Sequence, residues 1–146
     1  MLAIGELSRL TGVKVPTIRY YEQMGLMSAA GRSEGNQRRY EPTDRDRLAF
    51  IKHARDLGFT IDAIRELLDL SAHPERPCAQ ADEIANRQLR SVQDKMARLK
   101  VLEDELRRMT ERPHGDHVRD CYVIQSLADH ALCQHEHQGE STVTAG

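Results

Sequence analysis

From Ala79 to Glu111 the sequence holds no proline and no glycine, the two residues that most readily interrupt a helix. Within this stretch Ala85, Leu89, Val92, Met96, Leu99, Leu102, Leu106 and Met109 recur at intervals of three or four. That spacing gathers them on one helical face as a coiled-coil seam with one phase slip. A helix of roughly 33 residues, rising about 1.5 Å per residue, is about 50 Å long. The whole chain has 146 residues, 39% hydrophobic and 4% aromatic, so what remains is too poor in bulky side chains to cover such a rod. The seam therefore calls for a partner, and a second copy of the chain is the simplest one. A homodimer is the expectation.

The segment ahead of the rod reads as short helices. Ile4, Leu7 and Leu10 share one face of a helix over residues 4–11, and Gly12 supplies the reversal that follows. A second helix runs from about Thr17 to Met24 with Ile18 and Tyr21 inward and Tyr20 outward, Pro16 being tolerated in its first turn. Two short helices around a glycine-containing turn form a helix-turn-helix, although helical hairpins without a nucleic-acid role look the same. Residues 25–42 are rich in Gly, Ser, Asn and Arg and end in Arg38-Arg39-Tyr40, as a two-stranded ribbon or wing would. Thr43 with Asp46 forms a capping box for a third helix whose stripe is Leu48, Ile51, Ala54 and Leu57, ending at Gly58. Thr60 caps a fourth helix, with Ile61, Ile64, Leu67 and Leu68 buried. The organisation expected is a head over 1–70, a linker over 71–78, the rod over 79–111, a loop and helix over 112–138, with the helix at Tyr122–Leu132, and a disordered tail over 139–146.

Charge excludes some partners. With 21 basic against 23 acidic residues there is no global polycation, so a nucleic-acid surface has to be local. One is at hand in Gly31–Tyr40, where Arg32, Arg38 and Arg39 face a single acid, Glu34. No apolar run approaches the roughly 20 residues that span a bilayer, so no membrane partner is expected. Three cysteines, an odd count without a secretory leader before them, argue against a disulfide framework and for the reducing cytoplasm. No nucleophile–base pair, phosphate-cradling glycine loop or carboxylate dyad stands out, so the chain does not read as an enzyme.

Ile4-Gly5-Glu6-Leu7, Thr17-Ile18-Arg19-Tyr20-Tyr21-Glu22, Arg32-Ser33-Glu34-Gly35, Arg39-Tyr40, and Ala54-Arg55-Asp56-Leu57-Gly58-Phe59 with Ile64-Arg65-Glu66-Leu67-Leu68 occur in this order. In sequence and spacing they resemble the MerR family of transcriptional regulators, over about residues 1–125. The resemblance implies a mainly α protein: a winged helix-turn-helix DNA-binding head, a long antiparallel coiled-coil dimerisation helix, and a short C-terminal metal-binding loop and helix. It also implies a two-fold operator in double-stranded promoter DNA, distorted so that RNA polymerase holoenzyme can use it. Arg19, Tyr20, Arg32, Arg38, Arg39, Tyr40 and Arg55 are donors of the kind that grip phosphate oxygens. Lys14, Thr17 and Arg19 stand where recognition-helix side chains reach base edges. Pro16 and Gln37 depart from residues frequent in the family, which leaves the operator sequence open.

Family members that bind bulky organic effectors carry an added ligand domain, whereas few residues follow Glu111 here. An iron–sulfur cluster takes four cysteines and the chain has three. Ligand-capable residues do gather: Cys78 ahead of the rod, then His114, His117, Cys121, His130, Cys133, His135 and His137 after it. If two rods run antiparallel, Cys78 of one subunit meets the 112–121 loop of the other. Cys78 would also sit at the positive end of a helix dipole, which favours the thiolate that a metal needs. By resemblance Cys121 is a sensor-loop thiolate, and a thiol at the Cys78 position groups the chain with zinc, cadmium, lead and mercury sensors rather than copper(I) sensors. Mixed cysteine and histidine ligation favours Zn²⁺, with Cd²⁺, Pb²⁺ and Co²⁺ as alternatives. A loop cysteine common in relatives is replaced by Arg112, so His114 or His117 has to substitute. The rival readings are a metal-free thiol-redox or electrophile sensor and an architectural DNA-bending protein.

Overall fold

A computed structural model describes residues 1–29, 31–112 and 115–129. It is mainly helical, and the described residues divide into two compact units, one over 1–88 and one from 89 on.

The first unit opens with strand β1 (Leu2–Ala3) and helix α1 (Ile4–Thr11). Gly12 ends α1 in the left-handed region at φ 74°, donating its N–H to the Ser8 carbonyl at 2.9 Å, a cap that a side chain would strain. Helix α2 (Val15–Gln23) follows, with Pro16 in its first turn, where no intrahelical N–H is lost. Strands β2 (Gly31–Arg32) and β3 (Arg38–Tyr40) form the ribbon. β1 pairs antiparallel with β3, Leu2 opposite Tyr40, so the sheet order is β1-β3-β2 with the wing strand in the middle. Two residues are too few for alternation to announce β1 in the sequence.

Helix α3 (Pro42–Asp56) starts earlier than its expected Thr43/Asp46 box. Glu41 is the N-cap, and its backbone N–H donates to the Asp44 carboxylate at 2.8 Å. The reason is Pro42, whose fixed φ suits the first helical position and pulls the start forward. Helix α4 (Ile61–Ser71) is capped as expected, Thr60 Oγ1 accepting from the Ala63 N–H at 3.1 Å.

The core joins all these elements: Leu7 of α1, Ile18 and Tyr21 of α2, Tyr40 of β3, Leu48 and Ile51 of α3, and Ile64 and Leu68 of α4 are buried. Three expected core residues lie outside it: Leu67 is only partly buried and lines an open groove with Leu57 and Phe59. Leu10 is 47% exposed, lining an open groove with Pro42, Ala49 and His53, and Leu57 is 56% exposed because it caps α3 after the last helical turn. Two arginines brace the end of α2: Arg47 donates to the Leu26 carbonyl at 2.6 Å and Arg65 to that of Met24. Met24 is the C-cap of α2, so the cation on its carbonyl satisfies an acceptor left at the helix end and interacts favourably with the helix dipole, while Arg47 fixes the turn that follows.

Helix α5 (Ala79–Glu111) has the expected bounds. Its first turns belong to the head unit. Ile84 is buried, Gln88 donates its side-chain N–H to the Leu57 carbonyl at 2.9 Å, and Arg87 lies 3.9 Å from Glu66. Gly58, at φ 87°, sits beneath that bond, and a Cβ placed there would lie 2.5 Å from Gln88 Nε2.

In the second unit the rest of α5 is followed by a 3₁₀ turn (Val118–Asp120) and helix α6 (Tyr122–Ala128), with Glu105, Met109 and Ser126 buried. Helix α6 was expected to continue to Leu132, and residues 130–146 lie outside the described residues. Leu89, Val92, Met96, Leu99 and Leu106 are exposed along α5. Among the described residues no helix is long and apolar enough to cross a membrane.

Candidate DNA-reading face and metal centre

The turn Gly12–Lys14 sets α2 against α1, and Lys14, with extended backbone, is the N-cap of α2. Burial of Ile18 and Tyr21 fixes which flank of α2 faces outward. Lys14 and Arg19 are exposed there, Thr17 is half-buried, and Tyr20 is 45% exposed with its ring 5.9 Å from that of Tyr21. The division expected for the two tyrosines therefore holds, Tyr21 in the core and Tyr20 at the surface.

The wing carries the remaining cations. Arg32 is exposed and donates to the Asn36 carbonyl at 3.0 Å, across a turn in which Asn36 adopts φ 62°. Arg39 is half-buried, opposite Ala3 on one side and Gly31 on the other. Arg38 donates Nε–H to Glu22 at 2.9 Å. Tyr40, expected among the phosphate donors, is fully buried and donates its hydroxyl to the same Glu22 carboxylate, so that donor is taken up inside the head. Burial first, and then the hydrogen bond to Glu22, push the Tyr40 hydroxyl far above the ordinary tyrosine range and keep it protonated. Arg55 is exposed near the end of α3 and donates to the Phe59 carbonyl at 2.8 Å.

Of the expected metal ligands, His114, His130, Cys133, His135 and His137 lie outside the described residues. Cys78 is exposed and caps α5, its carbonyl accepting the Asp82 N–H at 3.0 Å and its Sγ lying 3.9 Å from the Asp82 carboxylate. Cys121 is half-buried and caps α6, its carbonyl accepting the Gln125 N–H at 3.1 Å. His117 is exposed, one residue ahead of the 3₁₀ turn. Arg112 lies 5.1 Å from the centre of the Tyr122 ring, a cation–π contact between the end of α5 and the start of α6.

Two thiols at helix starts, with imidazoles in the same loop, suit a borderline-soft divalent ion. Among the described residues, however, no group of three or more Cys, His, Asp or Glu is close enough to hold one. His53 is exposed, while His73 bonds the Asp69 carbonyl through Nδ1 at 2.9 Å.

A helix-turn-helix flanked by a ribbon, with exposed cations on both, defines a winged DNA-binding head. The sequence profile of the MerR HTH family regulatory proteins matches residues 2–71, and that described as MerR, DNA binding matches residues 45–109. The HTH-type transcriptional regulator ZntR of Escherichia coli is 39% identical over 149 aligned positions, covering 100% of this chain and 99% of that one. Heavy metal-dependent transcription regulator 2 of Rhizobium meliloti is 36% identical, with 86% of each chain covered. Among solved structures, the transcription regulator PbrR691 from Ralstonia metallidurans in complex with lead(II) superposes with a TM-score of 0.74. It shares 36% identity and is covered over 87% of this chain and 99% of that one. The chain belongs to the MerR family, whose members are DNA-binding transcription regulators and not enzymes.

Proposed function

We propose that the protein is a metal-responsive transcription regulator that acts as a homodimer on a two-fold operator in promoter DNA, in the cytoplasm, with a divalent ion as effector. The observation that carries the reading is the pair of cysteines, Cys78, exposed, and Cys121, half-buried, each immediately ahead of a helix. A relative named a heavy metal-dependent transcription regulator and a similar regulator solved in complex with lead(II) support the same class.

The exposed row Leu89, Val92, Met96, Leu99 and Leu106 is the face that a second α5 would cover. With the two helices antiparallel, Cys78 of one subunit would approach Cys121 of the partner subunit, with His117 and His114 beside it. His130, Cys133, His135 and His137 would complete that site or form another. Bound there, a divalent ion would supply a cross-link between subunits. Zn²⁺ is the first candidate, ahead of Cd²⁺, Pb²⁺ and Co²⁺, because mixed thiolate and imidazole donors suit it.

On the DNA side, Lys14, Thr17 and Arg19 would reach base edges while Tyr20, Arg32, Arg38, Arg39 and Arg55 would hold phosphates. Tyr40 would act from within the head. Ordering the 112–121 loop would dock α6 and shift the two heads, and DNA gripped at two half-sites would bend and untwist with them into a form that RNA polymerase can use.

The test is titration of the reduced protein with Zn²⁺, Cd²⁺, Pb²⁺ and Co²⁺, alongside Cys78→Ser and Cys121→Ser. Each substitution is expected to lower affinity at least about a hundredfold for the preferred ion. Unchanged stoichiometry and affinity in Cys78→Ser would overturn the shared site. Effector-dependent activation by metal-free reduced protein would replace the metal with an electrophile.

A further inference from the structure

Glu22 is an acid near the end of α2, on a surface otherwise rich in the cations Lys14, Arg19, Arg32, Arg38 and Arg39. Its carboxylate holds two wing residues at once: Oε2 accepts from Arg38 Nε at 2.9 Å, and Oε1 accepts from the Tyr40 hydroxyl. The Glu22 side chain is 16% exposed and that of Arg38 31%. Tyr40 is fully buried in the core, so one end of the arrangement is anchored in packed side chains.

We propose that Glu22 is a positioning residue for DNA recognition, holding Arg38 of the wing in place so that recognition helix and wing meet the DNA as one rigid body. Arginine has five N–H donors, and Nε engages Glu22, which leaves the four on the terminal nitrogens for phosphate oxygens. A long side chain that is already fixed loses less rotamer entropy on binding than one that must be immobilised at that moment. Tyr40 serves the same end. Its hydroxyl occupies the second carboxylate oxygen, so Glu22 cannot turn away from Arg38 without breaking a buried hydrogen bond.

The proposal predicts a sign that bare charge does not. As an isolated negative charge beside a phosphate backbone, Glu22 would oppose binding, and its removal would tighten the complex. As a tether, its removal loosens Arg38 and weakens the complex. The inference rests on Arg38 as a phosphate contact of the proposed DNA face, and Arg38→Ala tests that separately.

The experiment uses the full-length protein and a duplex selected from a randomised pool by the wild type, with a scrambled duplex of equal length as reference. Affinities are measured for wild type, Glu22→Ala, Glu22→Gln, Arg38→Ala and the Glu22→Ala/Arg38→Ala double variant. Glu22→Ala is expected to lose about tenfold on the selected duplex. Because phosphate contacts are independent of sequence, a loss in the same direction is expected on the scrambled duplex, with the melting temperature unchanged. Glu22→Gln, whose single amide oxygen can still accept from Arg38 while its N–H donates to the Tyr40 oxygen, should recover part of the loss, and Glu22→Ala should have little further effect once Arg38 is alanine.

Equal or tighter binding of the selected duplex by Glu22→Ala would overturn the proposal. So would an effect that simply adds to that of Arg38→Ala, or an equal loss on both duplexes accompanied by a fall in melting temperature. Arg38→Ala without effect would overturn the assignment of Arg38 and the tether with it. If Glu22→Ala does not fold, the cycle is run with Glu22→Gln, whose smaller loss must likewise vanish in the Arg38→Ala background.

Discussion

Truncation of Leu99 to alanine tests the two-chain architecture on which a shared metal site depends. Leu99 lies in the middle of α5 and is 62% exposed in the single chain. Complete burial of a leucine side chain is worth about 1.5–3 kcal/mol, so covering the exposed part contributes about 1–2 kcal/mol per subunit. In a two-fold interface each residue appears twice, which doubles the effect to about 2–4 kcal/mol per dimer. At 1.4 kcal/mol per tenfold, Leu99→Ala should raise the dimer dissociation constant about thirty- to several hundredfold. Sedimentation equilibrium over a range of concentrations reads this directly, and circular dichroism checks that α5 remains helical. Leu10→Ala is the control: Leu10 is 47% exposed on α1 of the head, and its truncation should leave dimerisation unchanged. A dissociation constant for Leu99→Ala within about twofold of wild type would refute the reasoning, since the seam would then not be the covered face.

Mixing Cys78→Ser and Cys121→Ser subunits should restore metal binding that neither variant has alone, because a mixed dimer keeps one intact pair across its interface. With random pairing the recovered capacity is about a quarter of wild type, and no recovery would mean that both thiols act within one chain. Gly58→Ala should lower stability by about 1–3 kcal/mol in thermal or denaturant unfolding, since φ is positive there and the new Cβ meets Gln88. Adding Gln88→Ala should recover part of that loss, and strict additivity would deny the contact. Tyr40 predicts a pH dependence. Its hydroxyl is raised in the folded state, so above roughly pH 10 the unfolded chain loses the proton first and stability falls as pH rises. Tyr40→Phe should show a shallower decline in that range, and identical pH profiles would remove Tyr40 as the cause.

Elements announced by long, regular patterns were legible before any coordinates. The bounds Ala79–Glu111 of α5, the first helix and the Thr60 cap follow from uninterrupted spacing, a glycine stop and a side-chain acceptor, each of them local. Strand β1 was not legible, because two residues acquire strand geometry only by pairing with a third segment. The start of α3 shifted for a local reason of another kind, Pro42 outweighing a plausible box two residues on. On the candidate DNA-reading face, Tyr20 could be separated from Tyr21 by helical phase alone. The sites of Arg47, Arg65 and Gln88, which bond carbonyls far away in sequence, carry no periodic signal at all.

By itself the sequence determined the family, the helical rod with its apolar seam, the basic wing, and the cysteines ahead of α5 and α6, because each is a matter of residue type at a local spacing. Only the tertiary structure decided which of the polar residues remain available to a ligand. Tyr40 and Arg38 have the same donors in any conformation, yet packing of the wing against α2 places Glu22 between them, burying one hydroxyl and tethering one guanidinium. The physical reason is that a hydrogen bond between residues 16 or 18 positions apart exists only once the core has brought their backbones together.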